Sequence, residues 1–256
     1  MRVGNNLPTR NYHSQLYNMK LDILAFAAHP DDVELSASGT VLRYVAEGKK
    51  VGIIDFTEGE LSTRGTVESR YEESAKASKI MGLSARENLR MADGFFEDSA
   101  ENKRLLIQQI RKYQPEIVLA NTISDRHPDH GRAGKLVEDA CFLAGLRKIE
   151  TTLDGEEQLP YRPRLVAHYI QDYYLEPSFV IDISPYVEQK IEVIKAFRTQ
   201  FFDPTSTEPS TPISGEEFFD FLKGRMLSMG RPAGIKYAEG FVISRVFGVK
   251  DLFELV

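Results

Sequence analysis

The chain predicts an α/β fold, a Rossmann-like three-layer sandwich on a mostly parallel sheet of strand order 3-2-1-4-5 with C-terminal additions. Three observations point there. Strand and helix patterns alternate through the first two thirds of the 256 residues, an order that gives parallel strands with helices on both faces. The first strand pattern, Ile23-Leu24-Ala25-Phe26-Ala27-Ala28, is a continuous apolar run, as burial on both faces requires. Polar clusters follow the first and fourth strand patterns, at the strand ends where open α/β sheets keep their ligands.

Taken in order, strand one covers residues 23–28 and a helix follows over 33–47. Pro30 suits that helix start, because its missing N–H would go unpaired there. Gly48-Lys49-Lys50 closes the helix with a glycine and cations, which a helix C-terminus favours. Strand two is 51–56, with a loop over 57–66. A helix rich in Glu, Lys and Ala spans 67–81 and stops at Gly82. Strand three is 88–92, then a helix over 101–113 is broken by Pro115, and strand four is 116–121. The loop 122–130 runs into a helix over 131–144. After a polar stretch, 150–164, come strand five at 165–173, a strand at 179–183 and a helix over 185–199. The segment 201–214 is rich in Pro, Ser and Thr and reads as a surface loop or lid. A helix over 216–228 and a strand over 241–247 close the chain.

Residues 19–256 read as a single domain. Residues 1–18 are polar and aperiodic, without the apolar core of a secretory signal, and read as a flexible extension. His13 within it is expected to take no part in chemistry. Hydrophobic content of 42% and charged content of 27% suit an ordinary soluble globule. A formal net charge of −6 argues against a nucleic-acid partner. No apolar run approaches the roughly 20 residues of a membrane helix. The one cysteine, Cys141, excludes an intrachain disulfide framework and suits a reducing cytoplasm. It lies in an apolar helical run and is expected to pack in the core.

The two polar clusters are His29-Pro30-Asp31-Asp32 and His127-Pro128-Asp129-His130. In the expected strand order, strands one and four are neighbours, so topology brings both clusters to one crevice. A catalytic zinc takes three protein ligands, commonly imidazole and carboxylate, plus an open position. His29, Asp32 and His130 are the best trio. Residues three apart at a helix start share a face, which lets His29 and Asp32 grip one ion. Asp31, His127 and Asp129 remain for proton transfer and orientation. Zinc suits these ligands, although ferrous iron and cobalt also accept them. One such motif alone would fit simple helix capping, since Asp is a favoured cap. Two of them after strands one and four argue for a site. The rival dinucleotide fingerprint, Gly-x-Gly-x-x-Gly after strand one, is absent, and Gly39 lies too far into the helix to serve.

Ala28-His29-Pro30-Asp31-Asp32 together with Arg126-His127-Pro128-Asp129-His130 resembles the zinc-dependent N-acetylglucosamine deacetylases of the LmbE/PIG-L family, over nearly the whole chain from Met19. The resemblance implies metal ligation by His29, Asp32 and His130, with Asp31 as general base. It implies that His127 stabilises the oxyanion or protonates the leaving amine, oriented by Asp129. Thr57-Glu58-Gly59-Glu60-Leu61-Ser62-Thr63-Arg64-Gly65 and Ile235-Lys236-Tyr237-Ala238-Glu239-Gly240-Phe241 look like the bacillithiol-pathway branch, which acts on N-acetylglucosaminyl-malate. The loop after strand two would overhang the metal, and Arg64 can pair bidentately with a malate carboxylate. Glu60, Arg126 and Tyr237 are the other expected substrate contacts. His168 on strand five is expected to be structural. The resemblance further implies a hexamer acting on a small N-acetylglucosamine compound, with the cytoplasm, read from the single cysteine, as its expected location. Diacetylchitobiose or an antibiotic precursor is the alternative substrate, and a metal-dependent sugar-binding protein without catalysis is the alternative class.

Overall fold

The computed structural model describes residues 19–201 and 203–255. The expected extension over residues 1–18, with His13, lies outside them. In chain order the elements are β1 (Ile23–Ala27), α1 (Asp32–Ala46), β2 (Val51–Thr57), α2 (Val67–Met81), β3 (Ala85–Met91), α3 (Ala100–Tyr113), β4 (Ile117–Ala120) and α4 (Pro128–Ala144). Then come β5 (Thr152–Leu153), β6 (Glu156–Glu157), β7 (Leu165–Tyr169), β8 (Phe179–Asp182), α5 (Val187–Lys195), α6 (Phe218–Gly230) and β9 (Ala238–Val242). The main sheet has seven strands in the order β3-β2-β1-β4-β7-β9-β8. With β7 as the expected fifth strand, the 3-2-1-4-5 order holds. The C-terminal additions are β9, antiparallel to β7, and β8, antiparallel to β9.

Successive side chains of a strand point to opposite faces, and β1 shows why its whole sequence is apolar. Ile23, Ala25 and Ala27 pack with Val33, Val41, Met81 and Val193 of α1, α2 and α5. Leu24, Phe26 and Ala28 pack on the other face with Leu106, Ile110, Leu136 and Val137 of α3 and α4. These are the three layers. Cys141 is buried in the second cluster, as expected.

Most elements match their sequence signals within a residue or two, and the exceptions have physical causes. Helix α4 starts at Pro128, three residues before the expected 131, because proline fits the first helical position. This makes His127 the cap and puts Asp129 and His130 in the first turn. Strand β3 begins at Ala85 rather than 88, because Arg86 turns inward onto Asp55 and Glu34 despite its charge. The polar stretch 150–164 hides the hairpin β5–β6, turned at Asp154-Gly155 with φ of 50° and 86°; an Asp-Gly pair favours such turns. The helix expected over 185–199 is a tight turn at Ser184–Tyr186 followed by the shorter α5. The closing strand lies at Ala238–Val242 rather than 241–247. Among the described residues no helix is long and apolar enough to cross a membrane.

The site is set by β1 and β4. They pair in parallel register, Ile23 with Ile117 through Ala25 with Leu119, so their carboxyl ends lie side by side. Past that register the strands part. The gap is bridged by Asn121, whose Oδ1 accepts from the Ala28 amide at 2.9 Å.

Candidate metal and catalytic site

A cavity of about 260 Å³ opens over the parted strands, and His29, Asp31, Asp32, Arg70, His127 and His130 line it. Both sequence motifs therefore reach one crevice. His29 Nδ1 lies 3.8 Å from Asp32 Oδ2, and His130 Nε2 lies 3.1 Å from Asp32 Oδ1. The far side of each imidazole is held by acid. His29 Nε2 faces Asp93 Oδ1 at 3.0 Å and Asp129 Oδ2 at 3.3 Å, while His130 Nδ1 meets Asp125 Oδ2 at 2.6 Å. Asp32 is held in turn. It accepts from Asn121 Nδ2 at 2.9 Å, Gln171 Nε2 at 3.0 Å and the His29 amide at 3.0 Å.

Metal-ligating imidazoles characteristically give their second nitrogen to a carboxylate, which fixes the ring and its tautomer. Both histidines have that arrangement, with the remaining nitrogen turned to Asp32. The electrostatics agree. Burial opposes charge on His29, yet the hydrogen bonds it donates to Asp129 and Asp93 and the nearby Asp32 charge raise its imidazole to about 10. Burial likewise opposes charge on His130, and Asp32 and Asp125 raise it to about 9. Burial would raise the Asp32 carboxyl, but His130 and His29 hold it far below the usual carboxylate range. A pocket that draws positive charge onto its imidazoles is one a cation fits, and the donor set suits a divalent transition metal.

Among the described residues two groupings bring their ligand atoms within 4.8 Å of one another, and His29, Asp32 and His130 together are not one of them. The first is His29, His127 and His130, and the second is His29, Asp93 and Asp129. In the second grouping the carboxylates already grip His29 Nε2 as orienting partners. His127 has its Nδ1 engaged at the α4 cap. His29 Nδ1 and His130 Nε2 are thus the ring nitrogens that face the Asp32 carboxylate.

Asp31 occupies the turn between β1 and α1 at φ 129° and ψ −17°. That left-handed region costs a residue with a side chain on the order of 1–3 kcal/mol and clusters at functional sites. The Asp31 side chain makes no capping bond, so the capping reading does not describe it. Its Oδ2 instead accepts from Arg70 at 2.8 Å, and Arg70 also donates to the Pro30 carbonyl and, at 2.7 Å, to Ser62. Burial pushes the Asp31 carboxyl up to about 6 against the pull of the Arg70 charge. His127 is half-buried, and burial together with the His29 and His130 charges lowers its pKa. Its Nδ1 accepts from the Asp129 amide at 3.3 Å, which leaves the proton on Nε2. The Asp129 carboxylate does not orient His127. It holds His29, the Gly94 amide at 2.8 Å and Arg132 at 2.6 Å.

The expected substrate contacts separate. Arg126 lines the cavity mouth, paired with Asp172 at 2.7 Å. Arg64 does not line the cavity. It is buried and donates to the Thr199 carbonyl at 2.6 Å, Ser206 Oγ at 2.7 Å and the Pro209 carbonyl at 3.3 Å. Gly65 makes this possible: at φ 74° it lets Thr199 approach to where a Cβ would meet it at 2.6 Å. Glu60 is exposed and holds the Asp93 amide at 2.8 Å, fastening the loop that carries Asp93. Tyr237 packs beside Ile183, Val187 and Met226, away from the cavity. His168 is structural, its Nδ1 on the Asn121 carbonyl at 2.8 Å. Arg70, Asp93, Asn121, Asp125 and Gln171 were not singled out by the sequence. Asn121 and Asp125 flank the second motif and could have been weighed there. Arg70, Asp93 and Gln171 carry no local signal.

Comparison with known proteins gives the family. The family profile described as "PIG-L: GlcNAc-PI de-N-acetylase" matches residues 24–141, which span both motifs. Diacetylchitobiose deacetylase of Thermococcus kodakarensis is 27% identical over 88% of this chain and 83% of its own. The uncharacterized deacetylase YaiS of Escherichia coli is 33% identical over 61% of this chain and 86% of its own. The crystal structure of the conserved protein TT1542 from Thermus thermophilus superposes with a TM-score of 0.79 at 37% identity, covering 90% of this chain and 98% of that one. Motifs, crevice and relatives agree: the chain belongs to the PIG-L/LmbE family of deacetylases.

Proposed function

We propose that the chain is a divalent-metal hydrolase, zinc first among the metals, that removes acetate from an N-acetylglucosamine conjugate. The observation that carries this reading is the convergence of His29, Asp32 and His130, with each imidazole backed by a carboxylate and Asp31 beside them. When bound, the ion supplies Lewis acidity, polarising the acetamide carbonyl and lowering the pKa of a water from about 15.7 towards about 7.

The protein's own groups do the rest. Arg70 fixes Asp31 Oδ2, leaving Oδ1 to take a proton from the water that attacks the acetyl carbon. The carbonyl oxygen becomes an oxyanion, and the His127 Nε2–H donates to it. As the C–N bond breaks, the amine leaves with a proton from the Asp31 carboxylic acid or from His127, and acetate is released. Asp31→Asn is expected to retain the metal and lose about 10²–10⁴-fold in turnover. Metal analysis beside an acetate-release assay decides it, and near-normal turnover rejects the role.

N-acetylglucosaminyl-malate leads the substrates in this reading. What supports an anionic substrate is the mouth of the cavity rather than Arg64. There Arg126 Nε meets Asp172 Oδ2 at 2.7 Å, and Arg225 Nη2 meets the Asp172 carbonyl at 2.7 Å. Diacetylchitobiose is the second reading, favoured by the relative from Thermococcus. Comparing acetate release from both compounds and from N-acetylglucosamine separates them. Preference for the malate conjugate, lost in Arg126→Ala, supports the first; equal rates remove it. Cytoplasmic residence and assembly into hexamers belong to the same reading, and sedimentation velocity tests the assembly.

A further inference from the structure

Lys190 and Glu239 form an ion pair that the chemistry above does not use. Nζ and Oε1 are 2.7 Å apart, and the two residues are 1% and 4% exposed. Lys190 comes from α5 and Glu239 from β9, and both reach the middle of α1. The Gly39 amide donates to Glu239 Oε1 at 2.9 Å and the Thr40 amide to Oε2 at 2.7 Å. In an undisturbed helix those amides are committed to the carbonyls of Leu35 and Ser36. The Leu35 carbonyl also accepts from Lys190 Nζ at 2.6 Å, and the Glu34 carbonyl accepts from Ser38 Oγ at 2.5 Å and from Lys190 at 3.4 Å. The ion pair thus competes for the hydrogen-bonding groups in the middle of α1, and a side chain acting as a wedge at a helix ladder is a recognised cause of bending. Gly39 permits it, since a Cβ there would meet Ile183 at 2.8 Å.

The segment on the N-terminal side of this wedge is the working end of the helix. The Leu35 amide closes the first turn onto the Asp31 carbonyl at 2.9 Å, and Asp32 begins the helix. Leu35 and Ser36 line the same cavity as Asp31 and Asp32. A buried ion pair is a poor source of net stability, since desolvation offsets most of its attraction. Its use here is geometric. We infer that Lys190 and Glu239 are positioning residues that set the pose of the first turn of α1, and with it Asp31 and Asp32, independently of the rest of the helix. The inference rests on the metal-site reading above.

The test uses the full-length protein with Co²⁺ as a spectroscopic probe. Glu239→Gln alone leaves an ammonium buried without its partner and can fail to fold. The neutral pair Lys190→Met/Glu239→Gln removes both charges at once, and a carboxamide has a single acceptor oxygen where the carboxylate gives one to each amide. The double variant is expected to lower kcat about tenfold with KM within about twofold, and to shift the d–d bands of bound Co²⁺. Ile107→Ala in α3, far from α1, serves as a control of comparable thermal destabilisation whose bands and kcat stay as in the parent. A double variant whose bands and kcat match the parent overturns the inference, whatever its Tm. A parent protein that takes up no Co²⁺ overturns the metal-site reading and this inference with it.

Discussion

Replacing Asn121 tests whether the switch between β1 and β4 holds the site together. Asn121 is fully buried and engages three groups: the Ala28 amide, Asp32 Oδ2 and Gln171 Oε1, each at 2.9 Å. Asn121→Leu keeps the volume roughly constant and removes all three. An orphaned buried amide costs about 1–3 kcal/mol, and a lost hydrogen bond to a charged group about 1.5–3 kcal/mol. Burial of the added apolar surface offsets about 1–2 kcal/mol of this. The net destabilisation is therefore about 3 kcal/mol. For a chain of this size that lowers Tm by about 6–12 °C. Because Asp32 is a ligand in the proposed site and Asn121 orients it, metal affinity is expected to drop by about 10–100-fold. Urea unfolding of chelator-treated protein gives the first number, and competition with a chromophoric chelator gives the second. A loss under about 1 kcal/mol with unchanged affinity would refute the assignment of Asn121 as the brace of Asp32.

Three further outcomes follow from buried charge. Arg86 makes a bidentate contact with Asp55, at 2.7 and 3.0 Å, and bonds Glu34 at 2.5 Å. Arg86→Met is expected to cost about 3–5 kcal/mol. Burial already holds the Glu34 carboxyl above its ordinary range, and losing Arg86 raises it further. A raised carboxyl favours the folded state at low pH and loses that contribution as pH rises, so the variant should be hurt more at pH 8 than at pH 5. Equal losses in urea at both pH values contradict this. Burial pushes the Cys141 thiol far up, so native protein should resist a thiol reagent at pH 8 and react once unfolded; rapid native labelling contradicts that. With His29 at about 10 and His130 at about 9, metal uptake near neutral pH should release about two protons, and affinity should fall as pH drops. Calorimetry in buffers of different ionisation enthalpy measures this, and zero release refutes it.

The residues that sequence reading placed best are those whose role is set by local chemistry and strand order. His29, Asp32 and His130 meet at the ends of two strands that topology makes neighbours, so their meeting was legible in the strand order, and their part in holding a metal belongs to the proposed function. Helix α2 was bounded correctly because Thr66 and Ser69 form a reciprocal cap and Gly82 ends it at φ 69°. The supporting groups were hidden because they come from elsewhere. Arg70 is one charge among several on α2, and only the fold turns it onto Asp31. Asp93 and Gln171 follow β3 and β7 and reach the site across the sheet. Arg64 was misread because a loop residue points where its contacts allow, and those contacts lie in segment 199–209, for which the sequence offers no periodicity. Asp129 was matched to the wrong imidazole: the first turn of α4 presents its amide to His127 and its carboxylate to His29.

The proposed function requires one ion gripped jointly by two imidazoles and one carboxylate from the two strand ends. X-ray absorption fine structure of the metal-loaded protein, alone and as His29→Ala and His130→Ala variants, tests it most directly. Two imidazoles are expected in the parent shell, with one lost in each variant that still binds metal. A shell without imidazole, or one unchanged by His130→Ala because His29, Asp93 and Asp129 supply it, contradicts the account.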